Sequence, residues 1–237
     1  MFQANPSSPP KTKRPLLKPG DVSAESKSWK DAGLPIDILL LTAKQCELLS
    51  CIDCLSDVFK SNKDGLGFVY FGKIGNGDEK LKIAVIQCNV GSGTPQGSTI
   101  VVPVAVRELR PKAVICVGYC AGLKETKVKF GDVIISSKLA TYAPIKITEN
   151  KTIHRGVQVP ASPRLSELLR SAALGWKAPL KNPNELDVEV HPDGLLLSGP
   201  EVVSSDKRRA ELIDAFPDAI GLEMEGEGKI SLNNEEN

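Results

Sequence analysis

Two carboxylates flank a thioether in Gly221-Leu222-Glu223-Met224-Glu225-Gly226. Ionised carboxylates accept hydrogen bonds from paired hydroxyls such as those of a sugar, and methionine supplies a soft apolar wall. The preceding run, Ala219-Ile220-Gly221-Leu222, reads as a buried strand, so the acids stand at a strand end. They either point the same way or straddle a turn at Met224, and exposed edge acids are the plainer alternative. A third acid, Glu47, falls one turn into a helix that follows a strand. A carboxylate there could activate water or accept a proton, or simply favour the positive end of its helix.

Gly91-Ser92-Gly93-Thr94-Pro95 reads as a glycine-rich strand-to-helix turn, with Thr94 as cap and Pro95 in the first helical position. Such a turn can present backbone N–H groups to an anion or polar ligand, or serve only as a tight connection. Gly91-x-Gly93-x-x-x-Gly97 departs by one residue from the dinucleotide fingerprint, and no acid tips a following strand, so no nicotinamide or flavin cofactor is expected. Cys51-x-x-Cys54 lies in a helical pattern carrying Leu48, Ile52, Leu55 and Phe59. No second Cys or His pair has ligand-like spacing, so no metal is expected and the cysteines read as plain thiols.

The elements around these residues alternate. Strands are expected at 36–41, 68–71, 82–88, 113–117, 132–136 and 195–199. Helices are expected after Thr42, over 95–109 with a kink at Pro103, from Ser162-Pro163 to Gly175, and from Ser204 or Ser205 to Phe216. Asn76-Gly77 suggests a hairpin between the strands on either side. Residues 140–160 read as irregular and 176–193 as a polar surface excursion. Short apolar strands alternating with amphipathic helices argue for an α/β domain with helices on both sheet faces, where ligands sit at the carboxyl ends of strands.

Composition bounds the rest. The chain has 237 residues, 41% hydrophobic and 25% charged, with a formal net charge of +1 and 5% aromatics. That balance gives no electrostatic case for nucleic acid or a membrane surface and little stacking surface. No apolar run approaches a membrane span, and the first residues do not form a secretory signal, so a cytoplasmic location is expected. Residues 1–34, rich in Pro, Ser and Lys, read as a disordered tail. A globular domain is expected over 35–228 and a polar tail over 229–237.

As an ordered set, the motifs resemble the superfamily of purine and uridine phosphorylases and methylthioadenosine/adenosylhomocysteine nucleosidases. The segments that carry the resemblance are Leu41-Thr42-Ala43-x-x-x-Glu47; Gly91-Ser92-Gly93-Thr94-Pro95; Val117-Gly118-Tyr119-Cys120-Ala121-Gly122-Leu123 leading to Gly131-Asp132-Val133; and Gly199 through Glu223-Met224-Glu225-Gly226. The resemblance implies a three-layer α/β/α sandwich with a mixed central sheet, no cofactor, and a homo-oligomer. It implies cleavage of the N-glycosidic bond of a small-molecule nucleoside, with a purine favoured. Glu225, with Glu223 beside it, would hold the ribose hydroxyls, and Met224 would pack on the sugar. Glu47 would position the attacking water, and Tyr119, Cys120 and Ala121 would line the base and ribose site.

The phosphorylases carry an arginine where Cys116 stands and a serine where Tyr119 stands. An anion would lack both partners, so hydrolysis is favoured over the alternative that uses inorganic phosphate. The family also continues from its Glu-Met-Glu-Gly motif into a helix and a strand ending in the aspartate that protonates the purine. This chain reads Lys229-Ile230-Ser231-Leu232 instead. The expectation is a truncated form lacking the family's last strand and helix, with impaired cleavage. A non-catalytic nucleoside-binding or regulatory module is the further alternative.

Overall fold

The computed structural model describes residues 10–22, 25–124, 126–149 and 152–226. The expected polar tail at 229–237 lies outside them. The described strands are β1 (Glu25–Ser26), β2 (Ile38–Thr42), β3 (Ser56–Lys63), β4 (Gly67–Ile74), β5 (Leu81–Gln87), β6 (Ala113–Cys116), β7 (Ala121–Gly122), β8 (Val133–Thr141), β9 (Ile145–Ile147), β10 (Thr152–His154), β11 (Gln158–Pro160), β12 (Val190–Ser198) and β13 (Ala219–Glu223). The helices are α1 (Gln45–Asp53), α2 (Ser98–Leu109), α3 (Pro163–Ala173) and α4 (Asp206–Ala215).

The strands form two mixed sheets and a separate ribbon, where one central sheet was expected. One sheet has the order β1-β3-β4-β5-β2-β6, the other β11-β8-β12-β13-β7, and β9 pairs with β10. The division falls between β6 and β7, where Gly118-Tyr119-Cys120 leaves the ladder and β7 pairs only briefly with β13.

Strand β2 explains how the first sheet is layered. It pairs in parallel with β5 and β6, and its continuous apolar run suits a strand covered on both faces. Leu39 and Leu41 join one core with Val101, Val102, Ala105 and Leu109 of α2. Ile38 and Leu40 pack in another with Leu48 and Ile52 of α1. Burying each such side chain contributes about 1.5–3 kcal/mol. The second sheet has its own core, in which Leu195, Leu197 and Leu222 meet Leu212 and Phe216.

Several local expectations are corrected. The helix after β2 stops at Asp53, and Phe59 lies on β3 rather than on a helical face. Asp57, in the left-handed region at φ 55, marks a register shift that starts the β3–β4 ladder. Thr42 belongs to β2, its hydroxyl donating to the Ile86 carbonyl, and does not cap α1. Helix α2 begins at Ser98 after Gly97, not at Pro95. Residues 140–160 hold the end of β8 and three short strands.

The described part of the expected tail is packed against the domain. Strand β1 runs beside β3, and Thr12 bridges to Leu180. The Trp29 ring meets Phe71 edge-on at 5.5 Å, while Phe59 stacks on Phe71 at 5.1 Å. Leu17, Val22 and Trp29 stand too far apart in sequence to show periodicity, although each joins a core.

Asp132 ties the entry of the second sheet together. Its side chain is fully buried, accepting from His191 Nε2 at 2.9 Å and from the N–H groups of Lys129 and Glu189. Burial pushes its pKa up, but the His191 bond and the two N–H donors outweigh that, leaving it below 3.8. Because the folded pKa is lowered, this stabilisation is present above the unfolded pKa and is lost as pH falls through the folded value. Asp132→Ala is expected to cost about 3 kcal/mol in urea unfolding at neutral pH, since it strands three donors. The difference from wild type should shrink under strongly acid conditions.

Candidate functional site

The parallel strands β2, β5 and β6 present their carboxyl ends together, because Leu41 pairs with both Ile86 and Cys116. Three connections leave from there: the start of α1, the turn into α2, and the crossing to β7. The end of β13 comes to the second of them.

Glu47 sits in the first turn of α1 and is half-buried. Its Oε2 accepts from the N–H groups of Ala43 and Lys44, both at 2.8 Å. Lys44 is the residue that caps the helix start, where backbone donors lack an intrahelical partner, and Ala43 precedes it. Its Oε1 accepts from Tyr119 N at 3.2 Å. A Cβ on Gly118 would lie 2.9 Å from that oxygen, so the loop approaches the carboxylate because residue 118 is glycine. Glu47 therefore plays the first-turn role and also joins β2 to the loop after β6.

The turn at 91–97 is closed by its own backbone. Thr94 donates through N and Oγ1 to the Gly91 carbonyl, at 3.2 and 2.8 Å. Asn89 Nδ2 donates to Pro95 O at 2.7 Å. Gly91 has φ 88, and a Cβ on Gly97 would fall 2.4 Å from Gly91 O, so both positions require glycine. Gly93 stands exposed with nothing near its Cβ position. Thr94 thus braces the turn and does not cap α2.

On this turn rests the end of β13. Gly91 N donates to Glu225 Oε1 at 3.2 Å, and Ser92 N to the Met224 carbonyl at 3.1 Å. Ser98 Oγ donates to the Glu225 carbonyl. The chain turns at Met224, so the two acids part company. Glu223 faces inward and accepts from the N–H groups of Glu225 and Gly226, each at 2.8 Å. Glu225 is half-buried and keeps acceptor capacity beyond its bond to Gly91.

Thiols surround the acids. Burial, with the Cys116 thiol and the Glu225 charge adding to it, pushes the Cys88 thiol up to about 12. Cys120 is raised by the desolvation of its sulfur and then by the Glu223 charge, although the residue as a whole is exposed. These groups are neutral at physiological pH and make the ground around both acids weakly polar. A cleft of ≈ 240 Å³ opens beside Cys88, Asn89 and Gln96 and reaches Tyr70. A larger apolar concavity of ≈ 290 Å³ lies under α1 near Cys51 and Cys54, and neither hollow is lined by any of the three acids. Among the described residues no cluster of His, Cys, Asp and Glu is placed to hold a metal, and no helix is long and apolar enough to cross a membrane.

The structure thus brings Met224 to Ser92, Glu225 to Gly91 and Glu47 to Tyr119, and leaves Cys120 exposed just before β7. Ala121 pairs with Leu222 in the second sheet, while Tyr119 is 67% exposed. Sequence reasoning missed Ser98 and Ser92. A lone serine after a glycine turn carries no sign of a partner 127 residues away.

A model of the Phosphorylase superfamily matches residues 38–227. The chain is 30% identical to the death domain-containing ATP nucleosidase of Amphimedon queenslandica, over 86% of this chain and 41% of that protein. It is 26% identical to the 5′-methylthioadenosine/S-adenosylhomocysteine nucleosidase of Maridesulfovibrio salexigens, over 79% of this chain and 74% of that one. The chain therefore spans less than half the length of the first relative.

Among solved structures, the 5′-methylthioadenosine/S-adenosylhomocysteine nucleosidase of Neisseria meningitidis, in complex with methylthio-immucillin-A, has TM-score 0.64 at 21% identity. It covers 82% of this chain and 78% of its own. The Colwellia psychrerythraea nucleosidase in complex with adenine has TM-score 0.65 at 15% identity, covering 82% and 75%. The likeness to solved structures shows a common α/β fold. With the motif-bearing strand ends lying inside the matched span, the chain belongs to the phosphorylase superfamily.

Proposed function

We propose that this chain cleaves the N-glycosidic bond of an adenine nucleoside or nucleotide by hydrolysis. The observation that carries this reading is the seating of the Met224–Glu225 turn on Gly91-Ser92. It sets a half-buried carboxylate and a thioether at the carboxyl ends of parallel strands. In this reading Glu225 holds the ribose hydroxyls and Met224 packs against the sugar. The bond breaks through a ribosyl state with oxocarbenium character, and the negative charge of Glu225 favours that state. Glu47 orients the water and takes its proton as the new C–O bond forms, the departing adenine takes up a proton from solvent, and the loop carrying Tyr119 and Cys120 covers the ligand.

The relatives support the substrate class. One is named for ATP and another for 5′-methylthioadenosine, and adenosine is common to both. Hydrolysis is favoured over phosphorolysis because Cys116 and Tyr119 stand where the phosphorylases resembled here carry an arginine and a serine. Neither replacement gives phosphate a cationic partner.

The test is chromatographic assay of free base from ATP, adenosine, 5′-methylthioadenosine, inosine and uridine, with and without inorganic phosphate. The expected result is adenine release that phosphate does not accelerate. Strict dependence on phosphate would make the chain a phosphorylase. Binding without release would make it a nucleoside-binding module, and neither binding nor release would refute the reading.

A further inference from the structure

We propose that Glu223 is a positioning residue that aims Glu225, and is not itself a ligand of the sugar. This rests on the reading of Glu225 as the ribose anchor. The geometry of the turn carries it. Glu223 Oε2 accepts at 2.8 Å from both Glu225 N and Gly226 N. One carboxylate thus fixes the backbone on both sides of the Glu225 carbonyl. Glu223 is itself held in the β13 ladder, its carbonyl accepting from Gly199 N at 3.2 Å. It pairs there in register with Ser198 of β12.

Two further observations point the same way. Gly226 is buried, and a Cβ there would fall 2.5 Å from Glu223 Oε1 and 2.5 Å from Leu139 Cδ2. The carboxyl group therefore fits the turn only beside glycine. The Ser198 hydroxyl is fully buried and meets no hydrogen-bond partner of good geometry. Its nearness works to lower the Glu223 pKa against the larger effect of burial. Burial is the largest influence on Glu223 and raises its pKa overall. Such a buried acid persists where neighbouring donors hold it, and here they belong to the turn that carries Glu225. The Glu225 carboxylate then reaches Gly91 from a backbone fixed at its own N–H, its own carbonyl and the next N–H.

The experiment is a double-mutant cycle read by calorimetric adenosine binding, with circular dichroism as the check on folding. Glu225→Ala comes first, because unchanged affinity there defeats the ribose-anchor reading itself. Given a loss at Glu225, Glu223→Ala is expected to weaken adenosine about tenfold, and to add almost nothing on the Glu225→Ala background. Glu223→Gln keeps an oxygen for both N–H groups and is expected to bind within about threefold of wild type. Additive losses, or Glu223→Gln failing as badly as Glu223→Ala, would overturn the positioning role and mark Glu223 as a direct contact. If Glu223→Ala does not fold, Gly226→Ala displaces the same carboxyl by contact and should give the tenfold loss, while wild-type affinity in that variant contradicts the inference.

Discussion

Glu225→Ala is expected to weaken adenosine binding by at least about 100-fold and to remove measurable turnover with it. A carboxylate accepting two sugar hydroxyls makes charge-assisted bonds worth about 1.5–3 kcal/mol each. The substitution leaves the turn's backbone contacts, Ser92 N to Met224 O and Ser98 Oγ to Glu225 O, in place. It also takes the acceptor from Gly91 N, so the thermal transition should fall by the cost of one stranded N–H, about 1–3 kcal/mol, beside the larger loss of ligand affinity. Glu225→Gln keeps one carbonyl oxygen and should fall between the two. The measurement is calorimetric titration beside an unfolding scan.

Glu47→Gln is expected to lower turnover by about 10²–10⁴-fold, the usual contribution of a positioned acid–base group. Adenosine affinity should stay within a few-fold of wild type, because in this reading Glu47 touches the water and not the sugar. The same variant carries a stability cost. Both oxygens of Glu47 accept backbone N–H groups, and an amide nitrogen on either side faces a donor. One N–H group loses its partner, costing about 1–3 kcal/mol. Steady-state kinetics below the lowered transition temperature separate the two effects. A parallel loss of affinity and turnover would instead place Glu47 against the ligand.

The layers were legible where apolar runs are long and bounded by glycine or a cap. Strand β2, its covering helices and the hairpin at Asn76-Gly77 follow from that pattern. Strand β3 was not legible, because Leu48, Ile52, Leu55 and Phe59 keep a helical spacing through the point where α1 ends. Tertiary pairing with β4 decides that segment. The packing of Trp29 on Phe71 was equally hidden, since one aromatic in a polar stretch shows no period.

At the site, residue types were readable and their joins were not. Glu47 and Glu225 stood out as acids at strand ends. The bond from Gly91 to Glu225 crosses 134 residues, and nothing local signals it. The division of labour between Glu223 and Glu225 depends on the turn at Met224, which alternation along a strand cannot distinguish from an extended end.

Adenosine and 2′,3′-dideoxyadenosine, titrated into the wild-type protein and into Glu225→Ala, show directly whether this carboxylate holds the sugar hydroxyls. The account predicts that removing the two hydroxyls weakens wild-type binding by about 100-fold or more, and that the variant barely distinguishes the two ligands. Equal affinity of the wild-type protein for both nucleosides would contradict it.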